Sequence, residues 1–187
     1  MIYISTSCLE GKNSKFEKDI GRILSVYDKL GIQNIELGAA LGYIEDYDII
    51  YEYQKKNDAN FIVHAFFPPD KKPYMMNLAS TSEIGKKSIE KAKEAIDFCK
   101  KVNAPIYSFH PGYLCDIDMD NKENSKRITK EKAFEHTVSA VRELLDYSEG
   151  QNIRFAIENQ ATFNDYAYFY QPKTFIRLFE EIDSPRV

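Results

Sequence analysis

The chain has no tryptophan, only three cysteines, and no apolar run approaching the ~20 residues that a bilayer span requires. Segments such as Phe61-Ile62-Val63 and Phe155-Ala156-Ile157 are among its longest apolar stretches. The cysteines, Cys8, Cys99 and Cys115, are far apart and form no Cys-x-x-Cys pair. Neither a disulfide framework nor a cysteine-rich zinc site is indicated, and a reducing cytoplasm is the expected compartment. The opening residues Met1-Ile2-Tyr3-Ile4-Ser5 lack the basic region and long apolar stretch of a secretory signal. No Gly-x-Gly-x-x-Gly or Gly-x-x-x-x-Gly-Lys-Ser/Thr occurs, which removes the usual mark of a nucleotide-binding open sheet. Basic residues are not in excess. The net charge is -4, with only six arginines, which argues against a broad nucleic-acid surface.

What is present suits a folded domain. The 187 residues are 43% hydrophobic and 29% charged, enough apolar material for a sizeable core. Thirteen Tyr and twelve Phe should mostly fill that core, with some lining a pocket. No Gly/Ser-rich or Pro-rich linker divides the chain, so residues 1–187 are expected to form one domain.

Short β-branched or aromatic segments alternate with longer segments of helical period. Strands are expected at 2–7, 32–37, 60–64, 105–110 and 154–158, and helices at 15–30, 46–57, 82–102, 130–147 and 172–182. Gly31 should stop the first helix. Pro172 should open the last one, in keeping with the preference for proline in a first turn. Pro68, Pro69 and Pro73 forbid a regular helix after the third strand. Five repeated βα units imply a parallel sheet covered by helices. Two architectures fit: an open doubly wound sheet, or part of a (β/α)8 barrel.

Three of the strands end alike. Phe61-Ile62-Val63 runs into His64, Ile106-Tyr107-Ser108-Phe109 into His110, and Phe155-Ala156-Ile157 into Glu158. The spacing in each case is about one βα unit. In a parallel barrel, functional groups collect at the C-terminal strand ends. Neighbouring strands lie ~4.8 Å apart, so three such residues can meet at one point. Two imidazoles and a carboxylate form a ligand set for a divalent metal, Zn or Mn before Mg. The plainer alternative for each residue alone is a hydrogen-bonded rim histidine, or a glutamate paired with a lysine.

The segment His64-Ala65-Phe66-Phe67 followed by Tyr74-Met75-Met76-Asn77-Leu78-Ala79-Ser80 resembles the third-strand region of the xylose-isomerase-like TIM-barrel superfamily. Ser108-Phe109-His110-Pro111-Gly112 resembles its fourth-strand motif, and Ile157-Glu158-Asn159 its fifth. That superfamily includes endonuclease IV and many sugar isomerases and epimerases. The resemblance implies a (β/α)8 barrel of which about five βα units lie in this chain. A complete barrel takes ~250 residues, so strands six to eight and the ligands they carry are expected to be missing. The exposed edges of the first and fifth strands would then invite another chain, a second copy included.

The resemblance also implies roles. His64, His110 and Glu158 match metal-binding positions, and Glu158 matches a position associated with acid/base work beside the sugar. Asn159 would lie just behind it, and Asn77 belongs to the third-strand motif; both are candidates for substrate contact. Glu36, at the end of the second strand, could bind a substrate hydroxyl or form a salt bridge. Lys72, beside Lys71 after the third strand, could meet a phosphate or simply be a surface charge. The implied activity is that of a metal-dependent sugar or sugar-phosphate isomerase or epimerase. The alternatives are an endonuclease-IV-like zinc phosphodiesterase at abasic DNA sites, and a non-catalytic barrel or fragment that binds or assembles. A small sugar is the expected partner ahead of nucleic acid, with no membrane involved.

Other features read more simply. Asp116, Asp118 and Asp120 resemble the start of a calcium loop, but Asn121 and Arg127 stand where an EF-hand needs Gly and Glu, so a solvated acidic loop is expected. His136 should be a surface residue of a helix. Cys8 has no evident base beside it and is not expected to be a nucleophile.

Overall fold

The computed structural model describes residues 1–11, 16–38, 41–120, 122–160 and 165–187. Five strands, β1 (Ile4–Ser5), β2 (Asn34–Leu37), β3 (Asn60–His64), β4 (Ile106–Phe109) and β5 (Arg154–Ile157), form one parallel sheet. Helices α1 (Ile20–Lys29), α2 (Asp48–Asn57), α3 (Glu83–Val102), α4 (Lys130–Tyr147) and α5 (Pro172–Ile182) alternate with them. The spatial order is β1-β2-β3-β4-β5, identical to the chain order. A doubly wound sheet reverses direction at a switch point. This one never does, so the five βα units follow each other around as in a TIM barrel.

Strand register assigns each residue to a face. Glu36 pairs with Ile62, His64 with Ser108, and Ser108 with Ala156. Side chains alternate along a strand, so Ser5, Glu36, Ile62, His64, Ser108 and Ala156 share the concave face. Ile35, Leu37, Phe61, Val63, Tyr107, Phe109 and Phe155 point the other way, and none is more than 3% exposed. Helix stripes cover them. Ile23, Leu24 and Tyr27 of α1, Ala92, Ala95, Ile96 and Cys99 of α3, and Phe134, Val138, Val141 and Leu144 of α4 are all buried.

Helix starts follow local caps. The Ser82 side chain accepts from Ile84 N at the start of α3, and that of Thr129 from Lys132 N at the start of α4. The first helix begins later than its apolar period suggests. Asp19 caps it by accepting from Arg22 N, and just before it the Glu17 carboxylate accepts from the amides of Lys18 and Asp19. Phe16 is in phase with the buried stripe but lies outside the helix; residue 15 of the expected helix lies outside the described residues. The first strand is short because a 3-10 turn, Thr6–Cys8, follows it, with the Ser5 hydroxyl accepting from Ser7 N. Among the described residues, no helix is long and apolar enough to cross a membrane.

Candidate metal centre

The ends of β3, β4 and β5 converge as their sequences predict. One ligand atom each from His64, His110 and Glu158 lie within 4.8 Å of one another. His64 Nε2 faces Glu158 Oε2 at 3.3 Å, and the two imidazole rings meet edge to face with centroids 5.7 Å apart. Around a tetrahedral ion with ~2.1 Å bonds, ligand atoms sit about 3.4 Å apart. A small contraction of the three side chains therefore reaches coordination distance.

The backbone sets the tautomers. His64 Nδ1 lies 3.1 Å from the Ala65 carbonyl, and His110 Nδ1 lies 3.4 Å from the Glu158 carbonyl. A carbonyl only accepts, so each Nδ1 must carry the hydrogen. In the neutral rings Nε2 then holds the lone pair, the arrangement that orients a metal-binding histidine.

Charge is distributed unevenly over the three groups. Burial pulls the His64 pKa down, but the hydrogen bond and charge of Glu158, the Ala65 carbonyl and the charge of Glu36 outweigh it, so His64 is raised. His110 is lowered, first by burial and then by the charge of His64. Glu158 is held below the usual carboxylate range, chiefly by the hydrogen bond from His64, with the charges of His64 and His110 and the Ser108 hydroxyl adding to this. The Glu158 carboxylate thus favours the charged form of His64, while burial favours the neutral form of His110.

The loops behind these strand ends are fastened to each other by Asn77. Its side-chain amide donates to the Cys115 carbonyl and to Asp116 Oδ1, and its carbonyl oxygen accepts from the amides of Ala79 and Tyr113. Gly112, with φ +127°, packs so closely that an added Cβ would sit 2.5 Å from Asn77 Oδ1 and 2.6 Å from Ala79 N. The Asn-Leu-Ala-Ser and His-Pro-Gly motifs are thus two sides of one contact. Asp116 completes it, accepting from the Ser82 hydroxyl as well. It is 5% exposed, so the acidic loop is not uniformly solvated as expected, because this carboxylate turns inward onto the third-strand loop.

The remaining candidates lie at different depths. Glu36 is half-buried on the concave face, two strands from Ser108, and its charge reaches His64. Asn159 is exposed at the end of β5. Asn77 is 1% exposed, with its side-chain atoms already paired within the protein, and Lys72 is exposed on the loop after β3; neither joins the three-residue cluster. His136 is exposed on α4, and Cys8 is an exposed free thiol. Sequence reasoning passed over Ser108, which stands beside His64 on the concave face with its hydroxyl buried. Only the alternation of β4 marks it as inward-facing.

The sequence profile of the xylose isomerase-like TIM barrel family matches residues 28–187, and the chain belongs to that family. Solved structures share the fold. D-psicose 3-epimerase from Clostridium cellulolyticum H10, with D-tagatose, superposes with a TM-score of 0.66 at 19% identity, over 91% of this chain and 57% of that one. An AP endonuclease, family 2, from Brucella melitensis gives 0.67 at 15% identity, over 98% and 64%. A xylose isomerase-like TIM barrel protein from Mycobacterium smegmatis in complex with magnesium gives 0.62 at 15%, over 89% and 54%. The chain thus spans little more than half the length of most of the structures it resembles. A search of curated proteins returns no match.

Proposed function

We propose that this chain carries the metal-binding wall of a sugar or sugar-phosphate isomerase or epimerase centre. The observation that carries the reading is the meeting of His64, His110 and Glu158 at one end of the sheet, with both Nδ1 atoms committed to carbonyls. This donor set fits Zn or Mn, and magnesium in one structural relative keeps Mg in the test. A divalent ion bound there would polarise the carbonyl and adjacent hydroxyl of a ketose.

The chain's own groups do the rest. His64 and His110 would hold the ion through Nε2. Glu158 would join them through one oxygen, and its other oxygen would take the proton from the carbon next to the carbonyl; return of a proton to the neighbouring carbon, or to the opposite face of the same carbon, would complete the exchange. Glu36 offers a carboxylate to a sugar hydroxyl deeper in the concave face, and Asn159 offers an amide at the mouth. Lys72 would meet the phosphate of a phosphorylated substrate, and Asn77 would keep the third- and fourth-strand loops in register. The three cysteines are free thiols, in keeping with a cytoplasmic location.

A phosphodiesterase reading draws on the two imidazoles, which suit a zinc cluster that binds a phosphate diester. The net charge of -4 favours a small substrate instead. A barrel that binds without catalysis is the third reading.

The test is solvent deuterium incorporation into D-psicose and D-tagatose with Mn, Mg or Zn, run beside cleavage of an abasic duplex. Exchange into the sugar without duplex cleavage is expected. Cleavage without exchange would replace this reading with the nuclease one. Tight metal binding with neither reaction would leave a binding protein.

A further inference from the structure

We propose that Ser108 is a positioning residue for Glu158, its hydroxyl being the donor that the carboxylate takes up when a divalent cation claims the His64 Nε2 lone pair. This rests on the metal reading above and extends it to a residue outside the ligand set.

Ser108 is 4% exposed, and its Oγ has no hydrogen-bond partner. A buried hydroxyl without a partner loses its hydration and gains nothing in return. Its backbone is fixed, since its carbonyl accepts from Ala65 N at 2.7 Å. It sits between His64 on β3 and Ala156 on β5, in the row of the concave face that leads up to the cluster. Ala156 shows that this row has no general need for a hydroxyl. Among the described residues, the other buried hydroxyl without a partner is that of Tyr107, which faces the helices.

The cluster supplies the missing partner. Glu158 Oε2 faces His64 Nε2 at 3.3 Å. An ion needs that same Nε2 lone pair, so loading the site ends any hydrogen bond from that nitrogen to the carboxylate, with the two atoms still about 3.4 Å apart around the ion. The freed carboxylate then has vacant lone pairs beside a donor that has nowhere else to turn. Ser108 is paired in register with His64 on β3 and with Ala156, two residues before Glu158, on β5. A carboxylate ligand oriented by an outer hydroxyl binds metal more tightly than one left to rotate.

The experiment is a calorimetric titration of the chain with Mn2+ at fixed pH, paired with metal-free thermal unfolding, for the natural protein, Ser108→Ala, Ser108→Thr and His64→Ala. The natural chain should bind one ion, and His64→Ala should abolish binding. Ser108→Ala should weaken binding about 10-fold, while its metal-free midpoint stays the same or rises. Ser108→Thr, which keeps the hydroxyl, should recover most of the affinity. Unchanged affinity in Ser108→Ala, with His64→Ala still defective, would overturn the role of Ser108 alone. A weaker Ser108→Ala whose metal-free midpoint also falls, without recovery by threonine, would assign Ser108 to packing instead. No binding by the natural chain, or binding unaffected by His64→Ala, would overturn the metal reading and this proposal with it.

Discussion

The two faces of the sheet obey different rules. On the convex face Tyr107, Phe109 and Phe155 pack ring against ring, with centroids 5.1 to 6.1 Å apart, under α3 and α4. On the concave face, at the same heights along the same strands, stand His64, Ser108, His110 and Glu158. Adjacent residues of one four-residue strand thus serve opposite ends: Tyr107 and Phe109 secure the sheet, while Ser108 faces the proposed metal centre. The core and the proposed site are separated by a single step along the backbone, because the side-chain period is two.

Substitutions on the two faces should therefore differ in kind. The largest loss of stability is expected from Phe109→Ala, which opens a cavity between Tyr107 and Phe155 and should cost about 3–5 kcal/mol in urea unfolding. A loss below ~1 kcal/mol would mean that the convex face is not the main core. Glu158→Gln should move stability by less than ~1 kcal/mol, because its ion pair with His64 is partly open to solvent. It should nevertheless abolish metal-dependent turnover, and retained turnover would count heavily against the site. The smallest effect is expected from Tyr107→Phe. Its hydroxyl is buried without a partner, and burial drives its pKa far upward. Removing it should leave stability unchanged or raise it by up to ~1 kcal/mol, with metal affinity unaffected. The contrast with Ser108, an equally unpartnered hydroxyl on the other face, would then separate a packing remnant from a working group.

The strands and the three-residue cluster were legible because both depend on local pattern. An apolar run that ends in His or Glu at each successive βα repeat needs only the parallel topology to bring those ends together. The start of α1 was less legible. Phe16 falls in phase with Ile20, Ile23 and Tyr27, so periodicity runs straight through the Asp19 cap. Asp116 was misread for a different reason. Its burial depends on Asn77 and Ser82, which precede it by more than a helix and a strand, and nothing in Asp-Ile-Asp-Met-Asp announces a partner so distant. The motif containing Asn77 could be recognised, but its side-chain partners come from another loop. Ser108 stayed hidden because a serine within Ile-Tyr-Ser-Phe looks like ordinary strand filler until the register gives it a side.

The closeness of Gly112 to Asn77 makes the two loops heritable only as a pair. Grafting the third-strand loop of another barrel onto this scaffold, without its fourth-strand mate, would strand the Tyr113 amide and the inward Asp116 carboxylate together. Engineering that aims to alter the mouth of this barrel has to exchange both segments at once, or confine itself to positions that the asparagine does not touch.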